Sequence, residues 1–172
     1  MLSDHPDIKL EIVTDNNLTD IVAEGFDAGV RDGEQVAKDM IAVRIGPDIR
    51  LAVVGTPSYF AKHPKPKRPQ DLAEHECINL RLLTYGGLYA WEFEKGGRQV
   101  NVRVEGQLTF NSLSLRLDAA LAGFGLAYVP EDRAATHIAE GRLIRVLSDC
   151  LPPIRAITFI IRAGGNRHRL SH

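Results

Sequence analysis

Residues 110–130 read FNSLSLRLDAALAGFGLAYVP, and this stretch indicates the fold class. The alternating run before it, residues 100–110 (VNVRVEGQLTF), has the period of two that is typical of a strand. Asn111 is a favourable helix N-cap, and apolar residues then recur at helical spacing as far as Gly123. Residues 126–129 form a short apolar run that Pro130 ends. The stretch therefore predicts a strand, a helix and a strand with tight junctions, most simply a βαβ unit.

The start of this helix is the first candidate binding site. In a βαβ unit the helix begins at the carboxyl edge of the sheet, where open α/β sheets take ligands. The free N–H groups of the first turn and the helix dipole favour an anion there. Asn111 and Ser112 occupy this position, although capping alone would account for both residues. The local pattern by itself favours simple capping.

Composition excludes several classes of protein. A chain of 172 residues that is 44% hydrophobic can bury one good core or two small ones. The net charge of −1 argues against nucleic acid as a direct partner. Cys77 and Cys150 lack the CxxC spacing of a metal site or redox pair. Polar residues near the N-terminus interrupt any export signal, and no apolar run approaches the ~20 residues that span a membrane. We expect a cytoplasmic protein.

Residues 8–31 resemble a second βαβ unit in pattern. Residues 8–13 predict a strand, residues 15–17 offer helix caps, and residues 26–31 predict the returning strand. Arg31 stands where that strand ends. Two roles are open for it: a surface ion pair with Asp32, or bidentate capture of a carboxylate.

The middle of the chain predicts a change of sheet. Two extended runs, residues 40–45 and 49–54, are separated by a hairpin-like turn at residues 46–48. Gly55 and Thr56 follow, with Thr56 as the cap and Pro57 as the first residue of a helix. Later elements are a hairpin around residues 95–98, a helix at 131–139 and a last buried strand at 156–161. The pattern predicts α/β architecture in two lobes, with crossovers near Gly55 and near residues 150–153 and a ligand cleft between them.

The sequence contains no recognisable catalytic constellation. It has no G-x-S-x-G elbow, and the His75-Glu76 pair lacks the second histidine of H-E-x-x-H. His168 and His172 have helical spacing but no third ligand nearby in sequence. We therefore predict no catalytic residue, no metal site and no cofactor, and we expect a binding module and not an enzyme.

Six motifs together resemble the effector-binding domain of LysR-type transcriptional regulators, a bacterial family. In order they are EGFDAGVR (24–31), VVGTPSYFAKHP (53–64), PQDLAEHECINLR (69–81), YAWEFEKGGR (89–98), VEGQLTFNS (104–112) and AALAGFGLAYVPE (119–131). They cover nearly the whole chain with the spacing expected of that family.

The resemblance implies a bilobal type 2 periplasmic-binding-protein-like fold. Lobe I would comprise residues 1–55 and 150–172, and lobe II residues 56–149. The implied function is that of a cytoplasmic sensor of a small-molecule effector, homodimeric through this domain, with the effector bound between the lobes. The effector-binding positions carried over are Asp15, Asn16, Arg31, Gly55, Thr56, Phe110, Asn111 and Ser112. Helix N–H donors, an arginine fork and a threonine hydroxyl would suit a small organic acid.

The chain departs from the family pattern at both ends. The DNA-reading winged helix-turn-helix, the linker helix and the first strand and helix of the regulatory domain are absent from these residues, and the closing helix is cut short. We therefore expect an incomplete lobe I and DNA contact only through a helix-turn-helix that this chain lacks. The alternative is a stand-alone solute-binding protein or small enzyme on the same bilobal fold, which a signal peptide or a catalytic constellation would favour.

Overall fold

The computed structural model describes residues 4–13, 24–32, 40–82, 87–152 and 155–162. The strands in this part of the chain are β1 (Ala28–Asp32), β2 (Met40–Ile49), β3 (Leu51–Gly55), β4 (Cys77–Leu80), β5 (Trp91–Lys95), β6 (Arg98–Val102), β7 (Thr109–Phe110), β8 (Leu126–Pro130), β9 (Ile144–Val146) and β10 (Arg155–Arg162). The α-helices are α1 (Pro57–Phe60), α2 (Leu113–Leu121) and α3 (Glu131–Ala139). Short 3-10 helices lie at Pro69–Glu74 and Ser148–Cys150.

The described strands form three sheets. The largest has five strands in the order β7-β4-β8-β3-β9, a second has the order β1-β10-β2, and β5 and β6 form a hairpin. Two apolar clusters cover the five-stranded sheet. The side chains that join α2 and α3 to it include Ile78, Val129 and Leu143, whereas Trp91, Phe93 and Tyr128 join the hairpin to it. Burial of these large side chains on two sides holds the sheet in place.

The βαβ unit predicted from residues 110–130 is confirmed. Both β7 and β8 run parallel to β4, which lies between them, and α2 makes the crossover. Gly123 has a φ of 82°, a left-handed conformation that suits glycine and ends the helix region. The predicted cap was one residue off. Ser112, and not Asn111, is the N-cap residue of α2.

The strand predicted for residues 100–110 is wrong as a single element. β6 ends at Val102, and the short β7 begins only at Thr109. Between them the chain crosses the start of β4, where the amide of Cys77 donates to the carbonyl of Glu105 at 2.8 Å. A Cβ at Gly106 would lie 2.1 Å from the carbonyl oxygen of Cys77. Glycine therefore permits a backbone crossing at a place where the alternating pattern suggested a continuous strand.

Two predictions for the first half of the chain are also wrong. Residues 8–13 form no strand, and their four aliphatic side chains (Ile8, Leu10, Ile12 and Val13) are exposed, since no described strand pairs with them. The parallel βαβ unit of residues 8–31 does not form either, because β1 pairs antiparallel with β10. The predicted helix between these segments lies outside the described residues.

The hairpin predicted around residues 46–48 is absent. β2 runs straight through these residues and pairs with β10, with a register irregularity opposite Ala156 and Thr158. Glycine and proline therefore accompany an irregularity in a long strand instead of a turn. The next strand, β3, pairs with β8 and β9. The chain therefore passes from the three-stranded sheet to the five-stranded sheet at Arg50. The division into lobe I (residues 1–55 and 150–172) and lobe II (residues 56–149) stays a prediction.

Candidate functional site

The carboxyl edge of the five-stranded sheet is where the candidate site lies. β7, β4 and β8 are parallel neighbours, so their carboxyl ends meet along one edge. Two helices begin there, α2 after β7 and α3 after β8. Free N–H groups of a helix start make such an edge suited to anions.

The two helix starts differ in charge. The first turn of α3 contains Glu131 and Asp132, and Glu131 is ion-paired with Arg145. The first turn of α2 contains no acidic residue. Since carboxylates repel an incoming anion, the start of α2 is the better anion site of the two.

Phe110, Asn111 and Ser112 form the turn from β7 into α2. The Oγ of Ser112 accepts a hydrogen bond from the amide of Leu115 at 3.5 Å, which caps the helix. The carbonyl of Phe110 accepts from the amide of Arg81 at 2.9 Å, which ties this turn to the end of β4. Asn111 is exposed, and Phe110 and Ser112 are half-buried. These three predicted site residues are therefore brought together at the sheet edge.

Gly55 and Thr56 lie at the opposite edge of the sheet. β3 runs antiparallel to β8, with Val54 opposite Ala127, so β3 ends beside the start of β8. The Oγ1 of Thr56 is 3.5 Å from where a Cβ on Gly123 would stand, next to the last turn of α2. α2 has nine residues, and at ~1.5 Å per residue it separates the two groups by roughly 13 Å.

The contacts of Thr56 are local. Its hydroxyl accepts from the amide of Tyr59 at 3.2 Å and shares a hydrogen bond with the hydroxyl of Ser58 at 3.0 Å. Thr56 is 6% exposed. A Cβ on Gly55 would lie 2.6 Å from Cδ2 of Leu126, so close packing accounts for that glycine. Two predictions are confirmed: Thr56 caps α1, and Pro57 is its first residue. Gly55 and Thr56 nevertheless lie away from the start of α2.

Arg31 belongs to the three-stranded sheet. Its backbone lies in β1 opposite Thr158 of β10. Asp15 and Asn16 lie outside the described residues. Their roles and that of Arg31 as effector contacts stay predictions.

Two segments in turn cover one side of β4. The first half of β4 pairs with β8, through Cys77 opposite Leu126 and Ile78 opposite Ala127. Its second half pairs with β7 on one side. On the other side the amide of Tyr89 donates to the carbonyl of Leu80 at 2.8 Å, and Arg81 forms a bridge with Leu88. This segment therefore covers the side of β4 that β8 leaves.

Two buried polar residues of this sheet and its helix were missed by the sequence analysis. Arg116 of α2 is 8% exposed, and its Nη1 donates to the carbonyl of Tyr128 at 2.7 Å. Burial lowers the pKa of the Arg116 guanidinium, an effect that nearby Tyr89 opposes. Asn79 of β4 is 2% exposed. The signal for Arg116 was available: it stands three residues after Leu113 and three before a buried alanine, within the apolar side of the helix.

A second polar cluster lies away from this edge. The rings of Tyr59 and His63 stack with centroids 4.4 Å apart, and the Tyr59 hydroxyl lies 3.1 Å from Nδ1 of His75. The same hydroxyl accepts from the amide of Glu76 at 3.0 Å. Burial first, and then the charge of His63, lower the pKa of His75. These contacts tie α1 to the turn before β4.

The described residues contain no candidate metal site, and their two cysteines are buried. They contain no group of three or more histidine, cysteine or acidic side chains that could hold a metal. Within the same part of the chain, no helix combines the length and apolar character needed to cross a membrane. Cys77 and Cys150 are both buried free thiols, and burial raises the pKa of Cys77 to about 12. Two shallow depressions, of about 300 and 230 Å³, lie beside Tyr89 and His63.

The family match covers almost the entire chain. The model of the family described as "LysR substrate binding domain" matches residues 1–171. The chain therefore belongs to the LysR substrate-binding domain family, as the six motifs predicted.

Named relatives agree with this assignment. The chain is 56% identical over 152 residues to a Pseudomonas aeruginosa protein, covering 88% of this chain and 50% of that one. It is 48% identical over 153 residues to the HTH-type transcriptional regulator PgrR of Escherichia coli, covering 89% of this chain and 51% of PgrR. The chain thus spans about half the length of the curated relatives it matches.

Solved structures confirm the fold class. The regulatory domain of AphB from Vibrio vulnificus matches with a TM-score of 0.79 at 26% identity, over 94% of this chain and 79% of that chain. Full-length AphB of Vibrio cholerae, a virulence activator, matches with a TM-score of 0.79 at 25% identity, over 94% of this chain and 54% of that one. The chain has the mixed α/β, type 2 periplasmic-binding-protein-like fold of LysR-type regulatory domains.

Proposed function

We propose that this chain is the effector-sensing domain of a LysR-type transcriptional regulator, and that a small organic acid binds it between its two lobes. The ligand's acidic group contacts the α2 start, at Phe110, Asn111 and Ser112. Arg31, assigned to lobe I, is the second contact that we propose for that group. Gly55 and Thr56 are left out of the proposed site, because they lie at the far end of α2.

The observation that carries this proposal is the acid-free start of α2 at the carboxyl edge of three parallel strands. A helix start of this kind favours negative charge through its N–H donors and its dipole. The neighbouring start of α3 is occupied by its own carboxylates. This difference supports the proposal that the ligand is an anion and that it binds at the start of α2.

The regulator's other partners follow from the family. A homodimer formed through this domain and a cytoplasmic location suit a protein that responds to a metabolite and controls transcription. DNA contact is assigned to a helix-turn-helix outside these residues, since the chain's net charge is only −1. Homologues are transcriptional regulators, which favours a regulatory role over catalysis.

A thermal-shift screen of organic acids tests the proposal. A ligand that binds only the folded state, at a hundred times its Kd, stabilises the protein by about 2.7 kcal/mol. The Arg31→Ala substitution should weaken binding of any hit by about ten- to a hundred-fold, as expected for a charge-assisted hydrogen bond. Ser112→Ala should weaken it less, as expected for a neutral hydrogen bond. If no acid raises the melting temperature, the effector is not an organic acid.

A further inference from the structure

The contact between Tyr59 and His75 depends on the protonation state of the histidine. The Tyr59 hydroxyl lies 3.1 Å from Nδ1 of His75, and it accepts a hydrogen bond from the amide of Glu76 at 3.0 Å. Both groups are satisfied when the hydroxyl donates its own proton to an Nδ1 that carries none. The contact therefore belongs to the neutral form of His75, with the ring proton on Nε2.

The surroundings of Tyr59 leave its hydroxyl few other partners. Tyr59 is 7% exposed, and among the described residues its hydroxyl bonds to His75 and to the amide of Glu76. Burial raises the pKa of Tyr59, so the hydroxyl keeps its proton below pH 10. Once Nδ1 of His75 is protonated, two donors face each other and one buried hydrogen is left without an acceptor. Protonation of His75 therefore weakens the contact.

His63 acts in the same direction. Its ring stacks on Tyr59 with centroids 4.4 Å apart and lies 6.2 Å from the ring of His75. Burial first, and then the charge of His63, lower the pKa of His75, whereas the carboxylates of Glu74 and Asp71 oppose this shift. The other charged side chains on neighbouring elements are Lys65 and Lys67 at the same depression, Glu76 beside Tyr59, and Arg98 of β6, which packs on this 3-10 helix.

The amide that bonds to Tyr59 belongs to a junction of three backbone segments. The carbonyl of Glu76 accepts from the amide of Leu126, at the start of β8, at 2.9 Å. The carboxylate of Glu76 accepts from the amide of Gln107 at 3.2 Å. A Cβ on Gly125 would lie 2.3 Å from the Glu76 carbonyl oxygen, so the backbones are closely packed here. The contact with Tyr59 is thus one of three hydrogen bonds that fix Glu76 before β4.

We propose that His75 is an acid sensor: when it takes up a proton, the Tyr59–His75 contact opens and α1 is released from the turn before β4. Ser58 of α1 lies next to Gly123 at the end of α2, so the release also changes the surroundings of that helix. This inference goes beyond the proposed function, and it requires no effector.

Acid should lower the stability of the protein through His75. Because folding lowers the pKa of His75, the unfolded chain takes up the proton first as pH falls below the ordinary value of 6.5. The contribution is fully present above pH 6.5 and is lost as pH falls through the folded-state pKa. His75→Asn keeps an acceptor for the Tyr59 hydroxyl but does not titrate. Between pH 7.5 and pH 5, the melting temperature of wild type should therefore fall more than that of His75→Asn.

Hydrogen exchange of the Glu76 amide tests the release itself. Its protection, relative to an unstructured peptide at the same pH, should fall in wild type by about five-fold between pH 7.5 and pH 5, as expected for one neutral hydrogen bond. His75→Asn should keep its protection, and Tyr59→Phe should have low protection at both pH values. His5→Asn, at an exposed histidine outside the cluster, is the matched control and should respond as wild type does.

Equal losses of protection in wild type and His75→Asn would mean that other groups respond to acid, and the inference would be wrong. If His75→Asn fails to fold, the wild type decides the question. Its Glu76 amide resonance must then shift with the same midpoint as the His75 ring resonances, and a constant amide resonance across that titration overturns the inference. These results do not depend on whether an organic acid binds, so the proposed function is tested separately by the thermal-shift screen.

Discussion

Ser112 and Thr56 show how similar residues acquire different surroundings. Each is a hydroxyl residue that caps the helix after a strand, and each accepts a hydrogen bond from an amide three residues on. Ser112 follows a strand parallel to β4, whereas Thr56 follows a strand antiparallel to β8. Strand direction therefore decides which sheet edge each residue reaches, and a single sequence does not reveal strand direction.

The Thr56→Val substitution should lower stability without affecting the ligand. It removes the oxygen that accepts from Tyr59, and loss of a threonine cap costs about 1 kcal/mol. Chemical denaturation measures the change, and Thr56→Ser, which keeps the oxygen, serves as the control. A loss of ligand affinity in Thr56→Val with stability preserved would return this residue to the binding site.

Alkaline pH should destabilise the protein through Cys77. Burial raises the pKa of this thiol from 9.0 to about 12 in the folded state. As pH rises between these values the unfolded chain releases a proton that the folded chain keeps, so the free energy of unfolding falls. Below pH 9 the contribution is fully present. Urea titrations from pH 8 to 11 should show a shallower loss in Cys77→Ala than in wild type, by up to about 1.4 kcal/mol per pH unit, and parallel curves would contradict the burial effect.

At the scale of elements, the backbone crossing at Gly106 should tolerate no side chain. A Cβ there would lie 2.1 Å from the carbonyl oxygen and 2.7 Å from the nitrogen of Cys77, both backbone atoms that cannot move aside alone. We expect Gly106→Ala to lower the free energy of unfolding by about 3 kcal/mol or more.

The control for this substitution is Gly141→Ala. Gly141 has a φ of 72° and nothing within 4 Å of a Cβ, so only backbone strain opposes the change. The expected cost is about 1 kcal/mol. Equal losses in the two variants, measured by urea denaturation, would mean that the crossing at Gly106 is looser than described.

Elements with a strong local signal could be predicted from the sequence, and elements that depend on distant partners could not. α3 and the β5–β6 hairpin occur where the sequence predicted a helix at residues 131–139 and a hairpin around residues 95–98. The segment of residues 8–13 alternates as a strand should, yet none of the described strands pairs with it. β2 passes through Gly46 and Pro47 because β10 pairs with it on both sides of the irregularity. Pairing supplies energy that local propensity does not record.

The same limit applies to the site. The α2 start could be predicted because capping residues, a helix and a preceding strand are contiguous in sequence. The contact of Arg116 with the carbonyl of Tyr128 depends on how α2 packs on β8, which local pattern does not reveal. The available signal was an arginine within the apolar face of a helix. This signal is weak, because arginines commonly bury their aliphatic stem against a core while the charged head reaches water.

At the scale of the whole molecule, these residues alone should not bind DNA specifically. The chain has 21 basic and 22 acidic residues, so it lacks the excess positive charge that phosphate contacts require. Fluorescence anisotropy with random-sequence and regulator-operator duplexes should show no salt-dependent difference between them. Sequence-selective binding that weakens with salt would place a DNA-reading surface within this domain.

The central claim is that an acidic effector binds at the carboxyl edge of the five-stranded sheet. Amide chemical-shift mapping with the acid that most raises the melting temperature tests it directly. The account predicts that the largest shifts fall on residues 111–116, while residues 55–60, at the other end of α2, change little. Large shifts at residues 55–60 with residues 111–116 unperturbed would contradict it.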